Sequence, residues 1–224
     1  MSPEPTADAP DPSRRLGDTS PHIGLATLAT RRPCRRRPPM ELIDTPLPDA
    51  KVIGLRSHPD DRGQFTETFN REKLALLGID HEFVQDNESV SARAGTVRGI
   101  HMQVAPHAQG KLVRVLRGSI ADYAVDLRPD SSTYKQSCRV DLRDGDGRLF
   151  WIPAGFGHAF CTLEPETVVA YKVTSLYAPT AERSIRWDDP TLALEWPIAP
   201  RDAVLSEKDA AAPLLEDVEA GLTW

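Results

Sequence analysis

The chain is poor in the features that mark secreted, membrane-bound or metal-stapled proteins. Its three cysteines, Cys34, Cys138 and Cys161, are odd in number, widely spaced and without a C-x-x-C pair. That argues against a disulfide framework or a zinc site and fits reduced thiols in a cytoplasmic protein. No stretch comes near the roughly 18–20 consecutive apolar residues of a membrane helix. No apolar segment follows the N-terminal arginines, so a signal peptide is not expected either. Positive charge is also short: 27 Lys and Arg stand against 33 Asp and Glu, a net charge of −6. Residues 1–40 hold seven arginines and four acidic residues, +3, which leaves −9 for the rest. An acidic body lacks the basic face that nucleic-acid binding needs. An anionic small molecule would have to be held by a few local arginines and lysines.

At 224 residues the chain has room for one well-packed domain and a tail. Residues 1–39, rich in Pro, Arg, Ser and Ala and without periodicity, cannot bury enough surface to offset their ordering entropy and are expected to be disordered. Met40-Glu41-Leu42 reads like a natural beginning, so the domain is expected over 40–224, with the basic run Arg31–Arg37 part of a solvated tail.

Beyond Lys51, short apolar strands alternate with turn signals at intervals of about 8–12 residues, the pattern of an all-β sandwich or barrel. Val52–Leu55, Phe65–Phe69, Phe83–Gln85, Val97–Gln103, Lys111–Leu116 and Ile120–Leu127 are predicted strands. Leu149–Ile152, Ala159–Leu163, Val168–Val173 and Ser184–Trp187 complete a set of about ten. Asp144-Gly145-Asp146-Gly147 is the strongest hairpin signal. Asn70 is placed to cap one short helix through Leu77, ended by Gly78. The part from Ser206 on reads as irregular to helical. These elements fit a jelly-roll with few short helices.

Two glycine-framed stretches carry the chemistry. Gly95 precedes His101 by six positions, and Gly147, Pro153, Gly155 and His158 fall at the spacing G-x5-P-x-G-x2-H about fifty residues later. This is the two-part signature of the cupin barrel, which brings one histidine from each motif to a shared interior. Metal-binding cupins have H-x-H and then Glu in the first motif; here the chain reads His101-Met102-Gln103, with no nearby Glu. A stable first-row metal site needs three or four convergent ligands, so no metal is expected. Strand alternation predicts Val97, Gly99, His101 and Gln103 on one face and Arg98 and Ile100 on the other. Gln103, Lys111, His158 and Tyr171 would share the interior with His101. Burying so many polar groups for stability alone is costly, which points to a ligand cavity. Asp209 reads equally as the last residue of an S-x-x-D helix start and as a carboxylate partner for a histidine, and Asp188-Asp189-Pro190 as a turn. Spacing does not choose among these aspartates.

Taken together, the motifs resemble the dTDP-4-dehydrorhamnose 3,5-epimerase family over roughly residues 41–215. The blocks are Arg62-Gly63 with Glu67, Val84–Asn87, Arg98–His101, Gly110–Arg114, Val125–Arg128, Ile152–His158, Tyr171–Thr174 with Tyr177, Ile185–Asp189, Glu195–Pro197 and Leu205–Asp209. Any one is weak; ten in register are specific.

The resemblance implies a metal-free, cofactor-free cupin that inverts C3 and C5 of dTDP-4-dehydro-6-deoxy-D-glucose to give dTDP-4-dehydro-L-rhamnose. Both carbons flank the C4 ketone, so their protons are acidic through the enolate. The chemistry needs a base on one face, an acid on the other and a donor near the ketone oxygen. By this matching His101 is the base, imidazole being the side chain suited to taking protons at cytosolic pH, and Asp209 its carboxylate partner. Tyr171 is the returning acid, and Lys111 is expected to stabilise the enolate oxygen. Arg62, Glu67, Gln85, Asn87, Arg98, His158, Glu182 and Lys208 would hold the sugar nucleotide, the arginines suiting its diphosphate, with Tyr177 stacked on the thymine. The pattern also implies a homodimer in which N-terminal strands cross to the partner sheet. Departures are Met102 where the family often has Phe, expected to face away from the cavity; Ala159 where Gly is usual, whose methyl is expected beside His158 where it would shift the substrate slightly; and residues 1–39, which have no counterpart in the family. Other readings are a single-carbon epimerase, a metal-dependent cupin and a non-catalytic sugar-binding cupin.

Overall fold

A computed structural model describes residues 40–43 and 45–224; the expected disorder of residues 1–39 lies outside the described residues. The first strands are β1 (Met40–Ile43), β2 (Lys51–Leu55), β3 (Ser57–Asp60), β4 (Gly63–Thr66), β5 (Gln85–Ser91), β6 (Val97–Gln103) and β7 (Lys111–Arg117). They continue with β8 (Ser119–Asp126), β9 (Ser137–Arg143), β10 (Arg148–Ile152), β11 (Phe156–Thr162), β12 (Thr167–Val173) and β13 (Glu182–Ser184). One sheet has the order β1-β2-β10-β7-β12-β5 and the second β13-β6-β11-β8-β9, while β3 and β4 pair only with each other. All named strand pairs are antiparallel. The two sheets form the walls of a cupin-like jelly-roll, the expected fold class.

Alternation explains what each face buries. Phe150 and Ile152 of β10, Val113 and Val115 of β7, Ile120 and Ala124 of β8 and Phe156 and Phe160 of β11 meet in the interior core. The intervening residues of the six-stranded sheet, Leu112, Leu149 and Trp151, pack outward against Leu74 and Ile79. Leu74 belongs to the one early helix, α1 (Arg71–Leu76), where the Asn70 side chain accepts from Lys73 N at 3.1 Å as the sequence predicts. The outer face of the other sheet is covered by C-terminal residues, Leu215 and Leu222 among them, packed on Ile100, Met102 and Tyr123. Two short helices, α2 (Glu207–Ala210) and α3 (Leu215–Val218), lie in that C-terminal part. Asp189, beyond forming the expected turn, is buried and accepts from the backbone N–H groups of Thr191, Leu192 and Leu215. It thereby ties the start of α3 to the body.

Several local expectations are corrected. The strand read as Phe83–Gln85 is instead β5, starting where that strand was expected to end and continuing to Ser91. It is an edge strand with Gln85, Asn87 and Ser89 facing a cleft and Asp86 and Glu88 facing water, so it lacks the apolar alternation that reveals half-buried strands. Strands β1 and β9 were likewise not anticipated. Arg98 lies on the same face as His101, not opposite it: the β6–β11 register slips between His158 and Phe160, which pair with His101 and Arg98. A slip of one residue reverses which face a side chain takes. Met102 packs its side chain into the outer cluster, as expected, although the residue also borders the cleft beside Gln103. Ala159 packs into that cluster too, so its methyl does not border the cavity; it lies where a Cβ on Gly99 would come within 2.6 Å.

Candidate active site

His101 stands in the middle of β6 with its Nε2 2.5 Å from Asp209 Oδ1. Asp209 arrives on α2, whose N-cap is Ser206: the Ser206 hydroxyl accepts from Asp209 N at 3.1 Å. The capping and partner readings of Asp209 are therefore both right, since its backbone serves the helix start and its carboxylate serves the histidine. Burial works to raise the Asp209 carboxyl, but the hydrogen bond and charge of His101, with help from Ser206 and Lys208, hold it below the ordinary carboxylate range. The pairing leaves Nδ1 of His101 free of the aspartate.

Across the ladder from His101 lies His158. Its Nε2 is 2.7 Å from Asp122 Oδ1, a fully buried carboxylate on β8. Burial pulls the His158 pKa down; Asp122 opposes this and Lys111 adds to it. Lys111, from β7 on the facing sheet, sets its Nζ 3.5 Å from His158 Nδ1 and 3.3 Å from the His101 carbonyl oxygen. Burial lowers the Lys111 ammonium to about 8, with Asp122 and Glu182 pulling the other way.

Tyr171, on β12 beside Lys111's strand, completes the far wall. Its hydroxyl is raised by burial and by Glu182 against the pull of Arg98. His101, Lys111, His158 and Tyr171 line one cavity of about 270 Å³ with Arg98, Ser89 and Asp209. His101, Lys111 and Tyr171 also border a second cavity of about 290 Å³, lined by Gln85, Asn87, Gln103, Gln109, Tyr177 and Glu182. Three shared residues make the two cavities halves of one cleft. At its mouth Glu182 Oε2 takes Lys208 Nζ at 2.6 Å and the Tyr177 hydroxyl at 3.0 Å. Gln85 accepts from Tyr177 N at 3.1 Å and donates to Asn87 at 2.7 Å.

Eleven of the thirteen residues picked from the sequence thus meet at this cleft. Arg62 and Glu67 do not: Arg62 is paired with Asp60 in the β3–β4 turn, and Glu67 binds Lys73 and Asn70 near α1. Among the described residues no three His, Cys, Asp or Glu side chains are grouped to hold a metal ion. Asp122 and Ser89 are not among the residues the sequence points to, and Ser206, read there only as the helix start, also lines the cleft. Asp122 had a signal: it interrupts an otherwise apolar inward row, Ile120 and Ala124, and a lone carboxylate in such a row is rarely buried without a partner.

A histidine–aspartate pair on one wall and a phenol and a buried lysine amine from the facing sheet bring groups able to give and take protons to one cleft. Comparison with known proteins agrees. A sequence model of the dTDP-4-dehydrorhamnose 3,5-epimerase family matches residues 44–217. The dTDP-4-dehydrorhamnose 3,5-epimerase of Sinorhizobium fredii is 45% identical over 169 residues, covering 75% of this chain and 86% of that one. The solved 3,5-epimerase of Legionella pneumophila, in complex with dTDP-4-keto-L-rhamnose, is 42% identical with a TM-score of 0.78, over 83% of this chain and 98% of that one. A 3'-monoepimerase from Streptomyces bikiniensis, solved with dTDP-quinovose, is 32% identical with a TM-score of 0.71, over 78% and 88%. The chain belongs to the dTDP-4-dehydrorhamnose 3,5-epimerase family.

Proposed function

We propose that the protein inverts C3 and C5 of dTDP-4-dehydro-6-deoxy-D-glucose and releases dTDP-4-dehydro-L-rhamnose. The observation that carries this reading is the division of labour between the sheets: His101 with Asp209 on one wall, Tyr171 and Lys111 on the other. A sugar ring between them meets a base on one face and an acid on the opposite face, which is what inversion requires.

His101 takes the proton from the carbon beside the ketone, and Asp209 stabilises the imidazolium that forms. Charge moves to the C4 oxygen, where Lys111 receives it in a desolvated setting that strengthens the interaction. Tyr171 returns a proton from the other side. His101 then gives its proton to solvent and Tyr171 takes one back from solvent, and with both groups reset the second carbon repeats the cycle through the enolate on the other side of the same ketone. No electrons are gained or lost, so no redox cofactor is called for. Tyr177 stacks on the thymine, and Gln85, Asn87, Arg98, Glu182 and Lys208 hold the rest of the sugar nucleotide; His158, whose two ring nitrogens meet Asp122 and Lys111, borders the sugar without gripping it. Arg62, in the β3–β4 turn, and Glu67, just past β4, reach a cleft only in a homodimer, supplied by the partner; Phe65 on that hairpin is 70% exposed, which favours its being covered. The catalytic unit spans residues 40–224 and works in the cytoplasm, where the buried free thiols Cys138 and Cys161 are stable.

The test is incubation with dTDP-4-dehydro-6-deoxy-D-glucose in D2O, followed by NMR. Deuterium at both C3 and C5 with inversion is expected. Label at one carbon makes the protein a single-carbon epimerase, and label at neither removes the reading.

A further inference from the structure

Asp122 is the buried charge that the proposed mechanism does not use. It sits on β8 between Ile120 and Ala124, whose side chains belong to the interior core, and is fully shielded from water. Oδ1 meets His158 Nε2 at 2.7 Å, while among the described residues Oδ2 has no hydrogen-bond partner. A carboxylate kept in an apolar core with one oxygen unpaired is unfavourable for stability, and an apolar side chain would serve packing better. Its effect must be sought through His158.

A carboxylate only accepts, so the hydrogen on this bond belongs to Nε2 of His158. A neutral imidazole that carries its hydrogen on Nε2 has a bare lone pair on Nδ1. That lone pair faces Lys111 Nζ, which also lies 3.3 Å from the His101 carbonyl oxygen. Two acceptors from neighbouring strands of the facing sheet then fix the direction of a long flexible side chain inside the cleft. The opposite tautomer would set an N–H against the ammonium and push it away.

We infer that Asp122 is a positioning residue for the reaction: by holding the Nε2 hydrogen of His158 it keeps Nδ1 as an acceptor and aims the Lys111 ammonium into the cleft. The inference rests on the reading of Lys111 as the group that receives charge from the ketone oxygen. Without an aimed ammonium the enolate forms more slowly, while the nucleotide end of the substrate, gripped elsewhere, binds as before.

Asp122→Asn keeps the size and removes the charge. It is expected to lower kcat on the order of 10- to 100-fold with KM within about two-fold, as for outer partners of functional histidines. In a Lys111→Met background the same change should alter kcat less than about two-fold, because the two residues act as one unit. Equal losses in both backgrounds, or a rise in KM matching the fall in kcat, would overturn the inference. A second measurement needs no folded variant: 15N NMR of the histidine-labelled wild type should give a pyrrole-like Nε2 and a pyridine-like Nδ1 for His158. A protonated Nδ1 rules the inference out. Failure of the wild type in the D2O experiment would sink the functional reading itself, whereas a normal wild type with additive variants sinks only the role of Asp122.

Discussion

Two His–Asp pairs stand side by side on one sheet, since His101 and His158 oppose each other across β6 and β11. The pairs are made of the same atoms and differ in their surroundings. His101 leaves 27% of its side chain open to the cleft, whereas His158 leaves 7% and Asp122 none. Asp209 comes from a short capped helix 108 residues beyond its histidine; Asp122 lies 36 residues before its own, on the adjacent strand. Access separates their work. The open pair can trade a proton with a bound sugar, while the closed pair, with His158 pulled down by burial, can only hold one in place.

Breaking the open pair should have the largest effect. His101→Asn is expected to cut deuterium exchange on the order of 10⁴-fold, the upper end for a general base; surviving exchange would show that the open pair is not the base. Asp209→Asn retains the shape without the charge, and kcat should fall on the order of 10³-fold in steady-state assays, since the imidazolium loses its counterion. Tyr171→Phe should slow inverted product on the order of 10²-fold while α-deuterium still washes in. Equal loss of exchange and product would mean that Tyr171 is not the acid on the facing wall.

A pH series sharpens the contrast. Lys111 loses its proton near pH 8 in the fold instead of near 10.5, so kcat should decline as pH rises through about 8. Stability moves the other way. Between those values the unfolded chain binds the proton and the folded chain does not, so the penalty for burying the ammonium, fully present below pH 8, is relieved as pH rises. Thermal melts of the wild type and Lys111→Met across this window should converge at the alkaline end. The smallest effect is expected from Ser206→Ala, which removes the N-cap under Asp209. It should destabilise by about 1 kcal/mol, lowering Tm by about 2–4 °C for a chain of this size, with a small fall in kcat as Asp209 loosens.

Much of this was legible in the chain. Strands with apolar alternation, such as β7, β8, β10 and β12, were read close to their true limits, as was α1 with its Asn70 cap. Polar strands were not: β5 borders the cleft on one side and water on the other, so neither face carries an apolar signal. Arg98 was assigned to the wrong face because perfect alternation was assumed through a register slip that only the β6–β11 pairing reveals. Asp122 shows in the sequence as a lone carboxylate in the apolar row of Ile120 and Ala124, but which histidine it meets depends on β11 pairing beside β8, 36 residues away.

The sequence by itself determined the alternating strands, the turn at Asp144–Gly147 and the two histidines, because each depends on neighbours within a few residues; that turn carries the chain from β9 in one sheet to β10 in the other and closes no hairpin, because β9 pairs with β8 and β10 with β2 and β7. Only the tertiary structure decided which aspartate meets which histidine and which pair stays open. Those outcomes depend on contacts between distant segments and on how deeply each pair is buried, and no local pattern encodes either.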